Sequence, residues 1–226
     1  MSKKTKVSLI LLLMVAFTVS FYCNAEASFD YADLTSDEAY KIIENIEFNE
    51  IQNPNYKGKF TSFSASESGC YAIGYKKDSR GQVLVFDSDG SFINGFSFKQ
   101  YGSFYIELNN EYLTVYTVRG ANAITVDLSG EVISVKSILD TDQSNDYWYK
   151  FQDKKQSVGE NTYNASGVLK EYTKLIRTNT NGKQVVLYEA DFFGKISSAL
   201  PLACIIAFPI AAILVIIVIV RKAIAK

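Results

Sequence analysis

The sequence Val85-Phe86-Asp87-Ser88-Asp89-Gly90-Ser91-Phe92-Ile93 joins two apolar runs through a short polar turn. The same order returns 40 residues later as Thr125-Val126-Asp127-Leu128-Ser129-Gly130-Glu131-Val132-Ile133. An Asp that bonds the turn backbone, followed by a Gly that accepts positive φ, is typical of a tight turn between antiparallel strands. Tyr163-Asn164-Ala165-Ser166-Gly167-Val168-Leu169 follows the pattern again and predicts a third turn of this kind.

Short strands are predicted on both sides of these turns. Between Phe60 and Tyr188, β-branched and aromatic residues alternate with polar ones, and Gly, Asn or Asp interrupts them repeatedly. The predicted strands are Gly69–Lys76, Gln82–Asp87, Phe92–Gln100, Phe104–Leu108, Tyr112–Val118, Ala123–Asp127, Val132–Ile138, Tyr147–Gln152, Ser157–Tyr163, Val168–Arg177 and Lys183–Glu189.

A repeat near 40 residues with several strands per unit is typical of propeller blades. The stretch from Val83 to Ile93 resembles the apolar-Asp-x-x-Gly hairpin of extracellular NHL-like β-propeller repeats. The resemblance covers Gly69 to Leu175 and implies about three blade-like units, whereas closed propellers typically have four to eight blades. An open curved meander, a compact sandwich or barrel, and a ring completed by two chains are therefore all compatible with the sequence.

The fold class that we predict is mainly β, with antiparallel hairpin and meander units of propeller-like type in a single chain. A short amphipathic helix is expected before them, from Ser36 to Glu47. Thr35 and Glu38 have the spacing of a capping box, and apolar residues then recur at helical intervals.

Both ends of the chain carry apolar runs. Lys3, Lys4 and Lys6 precede the uncharged run from Val7 to Tyr22, and Ala25-Glu26-Ala27 has the small-x-small spacing of a signal-peptidase site. We predict a signal peptide over residues 1–27, cleaved after Ala27. An uncleaved anchor is the alternative, because the uncharged residues from Val7 to Ala25 are numerous enough to span a bilayer.

At the other end, Ile196 to Val220 contains no charged residue, and Arg221 and Lys222 follow it. This run predicts a transmembrane helix over 196–220, with residues 221–226 as a cytoplasmic tail. The predicted localisation is therefore the cell membrane, in a single pass, with the intervening residues outside. The predicted organisation between the end segments is an acidic helical segment over 28–55 and a β-repeat ectodomain over 56–190.

Charge argues against nucleic acid as a partner. Six of the 23 basic residues and one of the 24 acidic residues lie in the two end segments, which leaves 17 basic and 23 acidic residues between them and a formal charge of −6. Nucleic-acid binding needs a basic face. The expected partners are the lipid bilayer, through 196–220, and another protein or a second copy of the chain.

Cysteine and histidine usage limits the chemistry. The chain has no histidine, which removes His-based nucleophilic catalysis and His metal ligands. Cys70 is the one cysteine expected in the ectodomain, so no disulfide is predicted there. We assign no catalytic residues, and any enzyme activity would have to rely on carboxylates, Lys, Tyr or Ser.

Two stretches are candidate sites. The oxygen-bearing residues Asp140, Asp142, Ser144 and Asp146 alternate like the start of a calcium loop, but Asn145 and Phe151 stand where an EF-hand needs Gly and Glu. Calcium is thus a candidate cofactor, and a polar loop is the structural alternative. Tyr147, Trp148 and Tyr149 are candidate binding residues on a predicted strand, where one face could contact a sugar or a protein; strand packing is the alternative.

From these features we expect a membrane-anchored extracytoplasmic binding or scaffold module, for example a subunit of a membrane complex. The second hypothesis is a surface-anchored hydrolase of glycans that uses two carboxylates across a cleft.

Overall fold

The computed structural model describes residues 28–197, except 53, 55 and 169. The predicted signal peptide, and all but the first two residues of the predicted transmembrane segment, lie outside that range. Within it, no helix has both the length and the apolar character needed to cross a bilayer.

Most of the described chain is β-strand, which confirms the mainly β, antiparallel prediction. The strands are β1 (Tyr31–Asp33), β2 (Asn49–Glu50), β3 (Ser62–Ala65), β4 (Tyr71–Lys77), β5 (Arg80–Phe86), β6 (Phe92–Lys99), β7 (Phe104–Leu108), β8 (Tyr112–Thr117), β9 (Asn122–Asp127), β10 (Val132–Ile138), β11 (Lys155–Val158), β12 (Asn161–Val168), β13 (Glu171–Asn179) and β14 (Gln184–Glu189). The helices are α1 (Ser36–Ile46) and α2 (Asp142–Lys150), and residues 192–197 form a further helical turn.

The strands form three antiparallel sheets, and each contains one four-stranded meander. Sheet I has the order β2-β6-β5-β4-β3, sheet II the order β1-β10-β9-β8-β7, and sheet III the order β11-β12-β13-β14. β1 and β2 come from the acidic N-terminal segment and extend the outer edges of sheets II and I. β1, β2 and β3 were not predicted, because they have only three, two and four residues.

The first two repeat copies adopt the same turn. Asp87 Oδ1 accepts from the backbone N–H groups of Asp89 and Ser91, at 2.9 and 2.8 Å. Asp127 Oδ1 accepts from those of Ser129 and Glu131 at the same distances. Gly90 and Gly130 have φ of +88° and +99°, which a residue with a Cβ adopts at a cost. The repeat is thus a real structural repeat in sheets I and II.

The third copy was predicted wrongly. Gly167 lies inside β12, next to a bulge in its pairing with β13, and not in a turn. The predicted strand Ser157–Tyr163 is broken by a turn at residues 159–160, so β11 and β12 form a separate hairpin. The predicted turn does not form because Asn164 pairs with Ile176 across the sheet instead of bonding a turn backbone.

The predicted strand Tyr147–Gln152 is also wrong, because this segment belongs to α2. Thr141 is the N-cap of the helix and its Oγ1 accepts from Ser144 N at 3.2 Å. Asp142 in the first turn and Lys150 in the last suit the helix dipole.

The three sheets stack with sheet I in the middle. Apolar side chains such as Val83 and Phe96 pack one face of sheet I against sheet II, around Ile106 and Val115. The other face packs on sheet III, where the Tyr71 hydroxyl donates to Leu187 O at 2.8 Å. Because sheet I is covered on both faces, the residues of β4 are buried almost without interruption.

The sheets are open. Side-chain hydrogen bonds link β3, β7 and β11, which are the first strands of the three meanders. The hydroxyl oxygens of Ser62 and Ser64, both buried in β3, accept from Ile106 N at 3.1 Å and Leu108 N at 2.9 Å in β7. Gln156 Oε1 of β11 accepts from Ala65 N at 3.0 Å. These contacts bring β3, β7 and β11 together without merging the sheets.

Candidate functional site

The predicted aromatic site is mainly part of a core. Tyr147 and Trp148 pack on Phe29, with ring centroids 4.6 and 4.5 Å apart, and Phe151 lies parallel to the Phe29 ring at 6.1 Å. Tyr149, by contrast, is 67% exposed. The structure therefore brings together two of the three candidate residues, but it turns them inward to hold α2 on sheet II.

The carboxylate of Glu107 also binds side chains of α2. Tyr116 and Tyr147 donate their hydroxyls to its two oxygens, at 2.6 and 3.0 Å, and Lys150 Nζ lies 3.6 Å away. Burial, reinforced by the Glu107 charge, raises the pKa of the Tyr116 hydroxyl far above its usual range. The phenol therefore stays protonated and keeps donating to the carboxylate.

The predicted calcium residues lie across the start of α2. Asp140 Oδ1 accepts from Asn145 Nδ2 at 3.1 Å, and the buried Ser144 hydroxyl accepts from Asp30 N at 3.0 Å. Asp142 and Asp146 lie within the helix. No group of three or more Asp, Glu, Cys or His side chains is gathered for a metal in the part of the chain that the structure describes. Calcium binding at these four residues stays a prediction.

A cavity of about 490 Å³ lies elsewhere, between α1, the end of β6 and the β8–β9 hairpin. Its lining residues are Ile42, Asn45, Ile46, Lys99, Gln100, Tyr101, Thr117, Arg119, Gly120 and Asn122. Binding cavities for small molecules have volumes of roughly 300–1,000 Å³, mostly apolar walls and a few converging polar groups. This cavity has that character, and it is our candidate functional site.

One wall is α1, whose start agrees with the predicted capping box. Glu38 N donates to Thr35 Oγ1 at 3.4 Å, and Thr35 N donates to Glu38 Oε2 at 2.9 Å. The helix ends one residue before the predicted Glu47, which has a left-handed backbone with φ of 48°. Ile46 faces the interior and is buried, as the apolar spacing predicts.

Glu47 holds the end of α1 against sheet I. Its carboxylate is 2.7 Å from Lys99 Nζ and 3.2 Å from Arg80 Nη1, and Arg80 Nη2 donates to Glu47 O at 2.7 Å. The hydrogen bond from Lys99, and then that from Arg80, lowers the Glu47 pKa. A lowered carboxyl pKa stabilises the fold above the ordinary glutamate value, and that contribution is lost as the pH falls through the lowered value. Acid therefore loosens the attachment of α1 beside the cavity.

The opposite wall supplies the polar groups. Gln100 and Thr117 are buried, and Gln100 Nε2 donates to Ser103 O at 2.9 Å. Arg119 is exposed at the hairpin and makes no hydrogen bond or ion pair with any residue in the described range. Tyr101, 67% exposed, forms part of the rim. An apolar pocket with an unpaired guanidinium can receive a ligand that has an apolar part and an anionic group.

Sequence reasoning missed this site. Its residues come from α1, β6 and the β8–β9 hairpin, and no short motif marks any of them. Arg119-Gly120 is typical of a tight turn, and nothing local reveals that Ile42 and Lys99 lie across from it.

A second concave region runs along β7, beside the end of α2. Two cavities of about 280 and 340 Å³ both include Phe151 in their linings, and Glu107 and Asp153 line the second. A glycan hydrolase needs one carboxyl group kept protonated, usually by burial. No carboxylate is buried among residues 28–197 as described, and the displaced carboxyl pKa values, those of Glu38, Glu47, Asp127 and Glu189, are all lowered.

Comparison with known proteins gives a single kind of match. No protein-family model and no curated protein sequence matches the chain. Among solved structures, the apo form of AztD from Citrobacter koseri aligns with 59% of this chain at 12% sequence identity and a TM-score of 0.23. The aligned part is 47% of AztD, so the chain spans about half the length of that protein. Both are β-rich, and no functional assignment rests on this similarity.

Proposed function

We propose that the protein is a membrane-anchored, extracytoplasmic binding module whose ligand occupies the cavity between α1 and the β8–β9 hairpin. The cavity carries this proposal, since it combines an apolar wall with buried polar groups and one unpaired cation. The apolar runs at the two ends of the sequence support the membrane location, and the positive residues beside them support the orientation.

The ligand class follows from the lining. Ile42 and Ile46 offer apolar contact, Thr117 and Gln100 lie buried in the opposite wall, and Arg119 offers a planar pair of donors. An organic anion with a small apolar body, such as an aromatic or branched carboxylate, matches these groups. Lys99 is engaged by Glu47, so Arg119 is the cation available for the anion.

The repeat architecture supports a finer proposal about the fold. The three meanders are propeller-like units, with β3, β7 and β11 as the innermost strands that the Ser62, Ser64 and Gln156 side chains link. A rigid β scaffold of this kind positions loops for binding. Assembly with a protein partner in the membrane, or with a second copy, belongs to the same proposal.

The test uses 4-fluorophenylacetate as the probe and the full chain in lipid nanodiscs. We expect saturable broadening of the fluorine NMR signal by the wild-type chain beyond that of empty nanodiscs. Arg119→Gln should weaken binding roughly 10-fold or more, the usual cost of losing a hydrogen bond to a charged group. The neutral amide of the same probe should bind weakly to the wild-type chain.

Matched helix variants identify the location. Asn45 is exposed and lines the cavity, so Asn45→Trp should block the mouth and abolish the broadening. Lys41→Trp adds the same ring to α1 on a residue that does not line the cavity and should bind like the wild type. Equal binding by both tryptophan variants would remove this cavity as the ligand site.

A further inference from the structure

The chain between β14 and the apolar run is short and tightly attached to the β domain. β14 ends at Glu189, and the uncharged run begins at Ile196. Ala190 is buried and its N–H donates to Thr173 O at 2.7 Å, while Asp191 N donates to Lys57 O at 2.7 Å. The connection is therefore a fixed part of the domain and not a flexible linker.

The helical turn 192–197 continues this attachment. Asp191 caps it, since Gly194 N donates to Asp191 Oδ1 at 2.8 Å. Gly194 lies against Gly58, where an added Cβ would be 3.0 Å from the Gly58 Cα. Lys195 Nζ is 2.6 Å from Glu189 Oε1. The backbone contact at Gly58 fixes the position of the turn, and with it the direction of its outer side chains.

Those outer side chains are large and apolar. Phe192 is 70% exposed and Phe193 78%, with their ring centroids 5.9 Å apart, and Ile196 is 46% exposed. At about 100° per residue, these three positions fall within one side of the helix. Adjacent exposed phenylalanines on a fixed surface cost hydration free energy unless something apolar covers them.

The sequence indicates what covers them. Ile196 opens the 25 uncharged residues that end at Val220, and Phe193 precedes it by about 4.5 Å of helical rise. Residues at this depth lie at the boundary between lipid tails and water, where amphipathic and aromatic side chains are favoured. Lys57 is exposed beside the turn and can reach lipid phosphates.

We infer that Phe192 and Phe193 insert into the interfacial layer of a phospholipid bilayer and hold the β domain directly against the membrane surface. This inference rests on the anchor in the proposed function. It adds a docking surface and an orientation, because the fixed turn sets which end of the sheets faces the lipid.

That end also carries the candidate site. Tyr188 in β14 donates its hydroxyl to Gly58 O at 2.7 Å, next to the start of β3. Thr61 N, just before β3, donates to Gly74 O in the middle of β4, so the start of β3 points toward the end of β4. At that end Lys77 pairs with Arg80, which pairs with Lys99. Lys99 lines the cavity, so the cavity lies at the same end of the sheets as the helical turn 192–197.

The experiment places tryptophan on this surface in the full chain. In a Trp148→Phe background, Phe193→Trp is compared with Ile133→Trp in vesicles of phosphatidylcholine brominated at shallow or deep acyl positions. Ile133 is 51% exposed at the start of β10, the opposite end of the sheets from the cavity. We expect bromine to quench the tryptophan at 193 strongly, more from shallow than from deep positions, and to leave that at 133 unquenched.

Phe192→Trp in the same background is the second variant and should behave like Phe193→Trp. Equal quenching at 193 and 133 would overturn the inference. Alkaline carbonate extraction of the same vesicles separates the two proposals: a chain released by the extraction contradicts the anchor itself. A retained chain with an unquenched tryptophan at 193 contradicts the docking surface alone.

Discussion

At the residue scale, a few polar side chains decide how the sheets meet. β7 is the free edge of sheet II, and its Ile106 and Leu108 N–H groups would be buried without partners if Ser62 and Ser64 did not accept from them. A buried unpaired N–H group costs free energy that packing alone does not return. Small hydroxyl side chains suit this contact because they let two strands approach closely.

Removing these hydroxyls should destabilise the protein. We expect Ser62→Ala and Ser64→Ala each to lower the free energy of unfolding by about 1–3 kcal/mol, because each leaves one buried N–H unpaired. Ser157→Ala, on an exposed hydroxyl that pairs with Thr162, should change it by less than about 0.5 kcal/mol. Chemical unfolding followed by Trp148 fluorescence measures all three. Equal stability of the Ser62 and Ser157 variants would show that the contact between β3 and β7 contributes nothing.

At the element scale, α2 shows why periodicity can mislead. Tyr147 and Phe151 are four residues apart, an interval that places two side chains on one face of a strand and also of a helix. The residues between Tyr147 and Phe151 distinguish a strand from a helix. In a strand, Tyr149 would lie on the same face as these two residues, whereas in a helix Trp148 lies beside them. Trp148 contacts Phe29 and Tyr149 faces solvent, so the side chains are arranged as in a helix. The N-cap Thr141 was the available sequence signal.

Phe29 is the partner that holds this helix. It is 3% exposed and contacts Tyr116, Tyr147, Trp148 and Phe151, so Phe29→Ala should cost about 3–5 kcal/mol and shift Trp148 emission to the red. Tyr149→Ala should have little effect, because that ring is mostly in water. Thermal unfolding and tryptophan emission report both variants. If Tyr149→Ala were as destabilising as Phe29→Ala, the inward packing of α2 would be contradicted.

At the scale of the whole molecule, sheet I is the structural centre. It is covered by sheet II on one face and sheet III on the other, whereas the far face of sheet III carries exposed or half-buried residues such as Val186 and Ile176. The repeated Asp turns lie at one end of the stack, and the cavity and the helical turn 192–197 lie at the other. The repeated turns and the candidate site therefore lie at opposite ends of the sheets.

Hydrogen exchange should follow this burial. Backbone amides in β4 and β5, at the middle of sheet I, should exchange at least about ten-fold more slowly than those of the edge strand β14, because opening them requires global unfolding. Mass spectrometry of deuterium uptake resolves these segments. Uptake in β14 as slow as in β4 would contradict the central position of sheet I in the stability of the protein.

Local patterns in the sequence predict the Asp-Gly turns at Asp87 and Asp127, the capping box at Thr35 and most meander strands. They also include the apolar ends on which the membrane proposal rests. These follow from hydrogen bonds and periodicities within a few residues. Long-range packing, by contrast, adds β1 and β2 to distant sheets, turns α2 inward onto Phe29, and brings Ile42, Lys99 and Arg119 to one cavity. Such pairings depend on burial between segments far apart in the chain, and no local pattern encodes which surfaces will meet.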